Sequence, residues 1–200
     1  MVTGDQYQVL TREFAELSSP DVVLQKEVYA HFGLLFFHFS LVETSLINVL
    51  LFHHLGVELV TGNIKSKAQW EQAYDHGCDQ AKKKTFGNLS QAVVDIAEFC
   101  DLKSELSDVK RRRDYFAHHF FRQEVGLYLD DEGCWHLIWE MSSIRKRLLD
   151  LDERLRVPFE NMCTRLKLPT PEKSSLEAIE QHLVTDAKLR AVNPPDWSWR

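Results

Sequence analysis

Apolar residues spaced alternately by four and three restrict this chain more than any other pattern in it. Val28, Phe32, Leu35, Phe39, Val42, Leu46 and Val49 repeat in this way. At 3.6 residues per turn such a series lines one side of a helix, and it needs other helices to cover it. The spacing predicts a long helix from about Val22 to His54, capped by Ser19 or Asp21 after Pro20. His38, Glu43 and Asn48 interrupt the run before it reaches the ~20 apolar residues of a bilayer span, so no membrane partner is expected. Glu43 lies between Phe39 and Leu46 on the seam. It is either a carboxylate at the edge of the packed face or the partner of an arginine, because buried charges rarely stand alone.

A second series, Ile144, Leu148, Leu151, Leu155, Phe159, Met162 and Leu166, predicts a last long helix over about Ser142–Leu168. Between the two, Gly56–Ser66 reads as a loop and Lys67–Lys84 as a polar helix with Trp70 and Tyr74 on one side. Asn88 is expected to cap a helix through about Phe99, with Leu89, Val93, Ile96 and Ala97 facing inward. Around Asp130-Asp131-Glu132-Gly133 the pattern changes, and a small hairpin or extended arm is expected over 126–138. Gln6–Leu17 reads as a short first helix. Pro169 and Pro171 close a helical domain over 1–168, and 169–200 reads as a tail with a short helix near Ser174–Leu189 and Trp197 and Trp199 at its end. The fold class is all-α.

Two hundred residues with 44% hydrophobic content suffice for one domain with a core. The net charge of −6 excludes a protein that coats nucleic acid through overall charge. Cys78, Cys100, Cys134 and Cys163 are scattered without ligand spacing, and the pair His53-His54 lacks further ligands. No metal or cofactor is therefore expected. Reduced cysteines and a start without a basic-then-apolar leader point to the cytoplasm.

Lys110–Arg122, reading KRRRDYFAHHFFR, runs against the acidic trend. Its cations are Lys110, Arg111, Arg112, Arg113 and Arg122, set against the single carboxylate of Asp114. Such a local patch suits a dedicated anion site. No Gly or Pro interrupts Asp101–Val125, and Leu102, Leu106, Val109, Phe116 and Phe120 fall at helical spacing, so one helix is expected. Arg113 lands on that apolar stripe, where an unpaired guanidinium would cost several kcal/mol. On the neighbouring face Asp114 and His118 are four residues apart, close enough for the carboxylate to orient the imidazole. Arg111, Tyr115 and Arg122 lie within a turn or two of His118, and His119 flanks it.

Arg113-Asp114-Tyr115-Phe116-Ala117-His118 resembles the Arg-polar-x(3–5)-His motif of HEPN domains, the "higher eukaryotes and prokaryotes nucleotide-binding" helical family. The helix holding Leu41-Val42-Glu43-Thr44-Ser45-Leu46 and the connector Lys84-Thr85-Phe86-Gly87-Asn88-Leu89 are also similar to that family. The likeness spans about Gln25 to Leu168. It implies an HEPN-like bundle of long antiparallel helices and a metal-independent endoribonuclease whose site is completed by a homodimer. Cutting RNA without metal takes a base near the 2′-OH, an acid for the departing 5′-oxygen and cations for the phosphorane.

On that resemblance His118 is the acid/base, Arg113 the phosphate clamp, and Asp114 holds one of them. Lys110, Arg111, Arg112, His119 and Arg122 then bind the RNA substrate, with Glu43 and Tyr115 in support. The implied settings are toxin–antitoxin or antiphage systems, with a nucleotidyltransferase-type antitoxin or another defence protein as partner. A non-catalytic RNA- or nucleotide-binding or protein-interaction module is the alternative. This chain has Phe120 where many members carry a tyrosine, two places after the histidine. Arg111 and Arg112 also stand at permitted distances from His118, and Arg113 is favoured because Asp114 follows it. In a straight helix Arg113 and His118 point about 140° apart, so their meeting needs a local distortion or a second subunit.

Overall fold

The computed structural model describes residues 22–168. The expected first helix, the capping positions Ser19 and Asp21, and the 169–200 tail lie outside the described residues. Within them the chain forms seven α-helices, one 3₁₀ segment and no strand. They are α1 (Val23–Val60), α2 (Lys67–Lys82), α3 (Phe86–Val94), the 3₁₀ segment Ala97–Leu102, α4 (Lys103–His118), α5 (Phe120–Gln123), α6 (Val125–Tyr128) and α7 (Asp131–Arg165).

The four-three seam makes α1 the spine. Val28, Leu35, Phe39, Val42, Leu46 and Val49 are all buried, and Phe32 packs half-buried beside them. Each fully buried side chain of this size contributes ~1.5–3 kcal/mol of transfer free energy. By length and composition α1 is also apolar enough to cross a membrane. Here its core face is covered by α7 and by the helices between them.

Three cross-helix contacts show the relative direction of the two long helices. His31 Nδ1 lies 3.1 Å from the Ser142 hydroxyl, and Ser45 donates to Asp152 at 2.6 Å. Phe52 meets Phe159 edge-on at 5.7 Å. Residue numbers rise together along both helices, so α1 and α7 run parallel and the intervening helices supply the antiparallel pairings. Leu51 abuts Gly77, and Leu59 shares a depression with Trp70, so α2 returns along α1. α4 runs against both long helices, with Arg113 on Glu43 and Phe116 near Phe32 on one side and Arg154 on Glu105 on the other.

The cap of α3 is Thr85 rather than Asn88. Its extended backbone (ψ 158°) and a hydroxyl 3.3 Å from the Asn88 N–H suit that role, and Asn88 already lies inside the first turn. Ala97 is exposed instead of facing inward, because the chain passes through an extended Ile96 before the 3₁₀ segment.

No hairpin or extended arm is present over 126–138. Asp130 accepts the Gly133 N–H at 3.0 Å as an N-cap, and Asp131 and Glu132 occupy the positive first turn of α7. The acidic cluster that resembles a turn therefore starts a helix. Trp135–Ile138 belong to that helix, with Leu137 and Ile138 buried and Trp135 exposed.

Glycine at 133 is required by packing, because a Cβ there would collide with the Leu127 backbone. Gly33 in α1 has open space around it. Gly33→Ala should therefore raise stability by about 0.5–1 kcal/mol through helix propensity. Gly133→Ala should lower it through the clash with the Leu127 backbone, and an unchanged midpoint would show that this close approach is absent. Urea unfolding followed by circular dichroism measures both.

Candidate functional site

α4 carries the basic run, and Leu106, Val109 and Phe116 seat it on the core. It stops at His118 instead of continuing to Val125. His119 leaves helical geometry (φ −127°, ψ −30°), and α5 restarts at Phe120. Phe120 and Phe121 both pack on Phe32, with ring centroids 5.5 and 4.7 Å away. Neighbours in a straight helix point about 100° apart, so a bend lets both rings reach the same partner.

Arg113 occupies the core stripe, as its register demands, and three groups accommodate it. Nη2 lies 3.7 Å from Glu43 Oε2, and Nη1 lies 3.8 Å from Asp114 Oδ1. Its guanidinium carbon sits 5.8 Å from the centre of the Phe86 ring, within cation–π range. The side chain keeps 31% of its exposure and Glu43 27%. The cation thus reaches the edge of the core, and Glu43 is its cross-helix partner.

Lys110, Arg111 and Arg112 are also matched by carboxylates within the chain. Lys110 Nζ contacts Asp114 at 2.6 Å, and its stem lies over Gly87. Arg111 and Arg112 share Asp108, Arg112 Nε at 2.8 Å. Hydrogen bonds from Arg112 and then Arg111 hold the Asp108 carboxyl below the ordinary carboxylate range. The run that reads as strongly cationic is thus interleaved with Asp108, Asp114 and Glu43. Such exposed or half-exposed pairs hold by ~1 kcal/mol or less each, weakly enough for a phosphate to compete.

The carboxylate of Asp114 is occupied by Lys110 and Arg113, and it makes no hydrogen bond to His118. His118 is the last residue of α4 and is exposed, its ring 6.3 Å from that of His119. His119 Nδ1 accepts from Arg122 Nη2 at 2.9 Å. The bend follows His118 and so leaves it turned away from Arg113. Within one chain the expected trio of Arg113, Asp114 and His118 converges only as far as Arg113–Asp114.

Tyr115 donates its hydroxyl to Glu124, tying α4 to the segment before α6. Burial, followed by this carboxylate, pushes its phenol above the usual range. Sequence reasoning missed Asp108, Phe86 and Glu124. Asp108 stands three and four residues before Arg111 and Arg112, a spacing that signals pairing. Phe86 and Glu124 are placed by the turn and the bend, for which no local pattern exists. Two open depressions of about 520 and 540 Å³ share Trp70 and Lys67, near the α1–α2 loop rather than at the motif.

The Glu43–Arg113 pair is open to a double-mutant cycle. Glu43→Ala, Arg113→Ala and the double variant should show a coupling of about 0.5–1 kcal/mol in urea unfolding, and additive losses would show that the two do not interact.

Comparisons of the chain with protein-family models, with curated proteins and with solved structures give no match.

Proposed function

We propose that this chain is a metal-independent endoribonuclease, acting as a homodimer with a composite site and giving a 2′,3′-cyclic phosphate. One observation carries the reading. α4 presents a half-buried, carboxylate-anchored arginine and an exposed terminal imidazole about 140° apart around the helix, so a site that uses both needs a second copy of the helix. A two-fold axis beside the end of α4 would set His118 of one copy toward Arg113 of the other. At each cross-copy pair the one imidazole would take the 2′-OH proton and then give a proton to the departing 5′-oxygen, while the guanidinium of the other copy holds the phosphorane. Exposed Val125, Leu127 and Leu129, just beyond His118, supply apolar surface for a second copy.

The HEPN resemblance supports the same assignment and suggests a toxin–antitoxin or antiphage setting. A nucleotidyltransferase-type antitoxin or another defence protein would then be the neutralising or activating partner. The saturation of Lys110, Arg111, Arg112 and Arg113 by carboxylates favours a second reading, a module that binds RNA or protein without cutting.

Labelled single-stranded RNA incubated with the purified chain in EDTA tests the proposal. Cleavage with cyclic-phosphate ends is expected, and His118→Ala should slow it at least ~100-fold. The exposed position of His118 leaves the fold intact in that variant. Equal cleavage by both proteins would assign the activity to a contaminant, and binding without cleavage would favour the second reading.

A further inference from the structure

Beside His118 the bundle carries aromatic rings that the proposed cleavage does not use. Tyr29 on α1 is 44% exposed and Phe121 on α5 is 40% exposed. Their centroids lie 5.5 Å apart, and Tyr128 completes the group 5.5 Å from Tyr29 and 6.4 Å from Phe121. Phe32 backs Phe121 at 4.7 Å and packs in turn on Phe120, which is 1% exposed. The outward rings are therefore braced by the core, so a flat ligand stacking on them loses little side-chain freedom.

Their position also matters. Phe121 follows His118 by three residues, so the two Cα atoms lie within about 11 Å, at up to ~3.6 Å per residue. Arg122 is the next residue, its guanidinium held on His119. Glu124, the nearest carboxylate downstream in the chain, is turned to the Tyr115 hydroxyl. Partly exposed rings next to a cationic donor are a combination that single-stranded nucleic acid uses, with bases stacked on rings and backbone phosphates on cations.

We propose that Tyr29 and Phe121 form a base-stacking subsite for single-stranded RNA, seating a nucleotide next to the phosphate that faces His118. The proposal rests on the RNA-cleaving reading above for the identity of the strand. It adds that unpaired, splayed bases are what this end of the bundle accepts.

Fluorescence anisotropy of the full chain with a labelled oligoadenylate of about a dozen nucleotides in EDTA decides it. Tyr29→Leu and Phe121→Leu should each weaken binding roughly tenfold, while Tyr29→Phe, which keeps the ring, should bind like the wild type. Circular dichroism melts check the fold. If Phe121→Leu loosens Phe32, the Leu and Phe variants at Tyr29 still settle the matter. Wild-type binding by the Tyr29→Leu protein would overturn the subsite, even where cleavage still depends on His118. Loss of binding in the Leu variants would uphold it, even where the chain cuts nothing. Unchanged RNA binding with lost self-association in sedimentation would make this face a protein seam, and absence of RNA binding by the wild type would overturn the subsite together with the nuclease reading.

Discussion

A guanidinium on the apolar side of a helix is the constraint around which this molecule is arranged. Arg113 follows Val109 and precedes Phe116 on the stripe that seats α4, so any packing of that stripe brings a charge to the core. Full burial without a partner would cost several kcal/mol. The fold avoids this by keeping the side chain 31% exposed and weakly paired, each pair holding by ~1 kcal/mol or less. The fold meets it with Glu43 on the spine helix, Asp114 on the next residue and the Phe86 face at the start of α3. Two other helices, α1 and α3, thus converge on one cation of α4. The antiparallel contact of α4 with α1 is set by this pairing together with Phe32 and Phe116. The same arrangement leaves His118 at the end of α4, pointing elsewhere.

The local electrostatics follow from interleaving rather than from accumulation. Asp108 and Asp114 sit one turn from the cations they neutralise, so the run is far less positive in space than its four consecutive basic residues suggest. Exposed pairs of this kind exchange partners at little cost, which suits a surface that takes a phosphodiester and later releases it. Arg122, bonded to a histidine rather than a carboxylate, is the cation of the run with the least to give up. It follows His118 by four residues in the chain. An acidic chain with an exchangeable basic corner fits selective contact with a strand better than indiscriminate coating.

Much of the fold was legible because helical periodicity is a local property. The seam from Val28 to Val49 and the stripe from Ile144 to Met162 depend only on spacing, and both are buried nearly as written. The anomaly of Arg113 was visible for the same reason, whereas Glu43 stayed open between a seam-edge carboxylate and an arginine partner until its 3.7 Å approach to Arg113 was seen. The start of α7 was missed because Asp130–Gly133 has the composition of a turn and of an N-cap alike, and tertiary contact with Leu127 decides between them. The break at His119 was missed because no Gly or Pro marks it. It arises from two neighbouring phenylalanines seeking one partner on another helix. The parallel course of α1 and α7 depends on the path of the chain between them, which periodicity does not encode.

The central claim is that Arg113 and His118 work together only across two copies, and subunit mixing tests it most directly. Arg113→Ala and His118→Ala chains, each inactive as a homodimer, would be unfolded together, refolded as a mixture and assayed on single-stranded RNA in EDTA. A mixed dimer retains one cross-copy pairing of the two side chains, so cleavage by the mixture should exceed that of either parent. A mixture that never exceeds its parents, although mixed dimers are demonstrably present, would contradict the account.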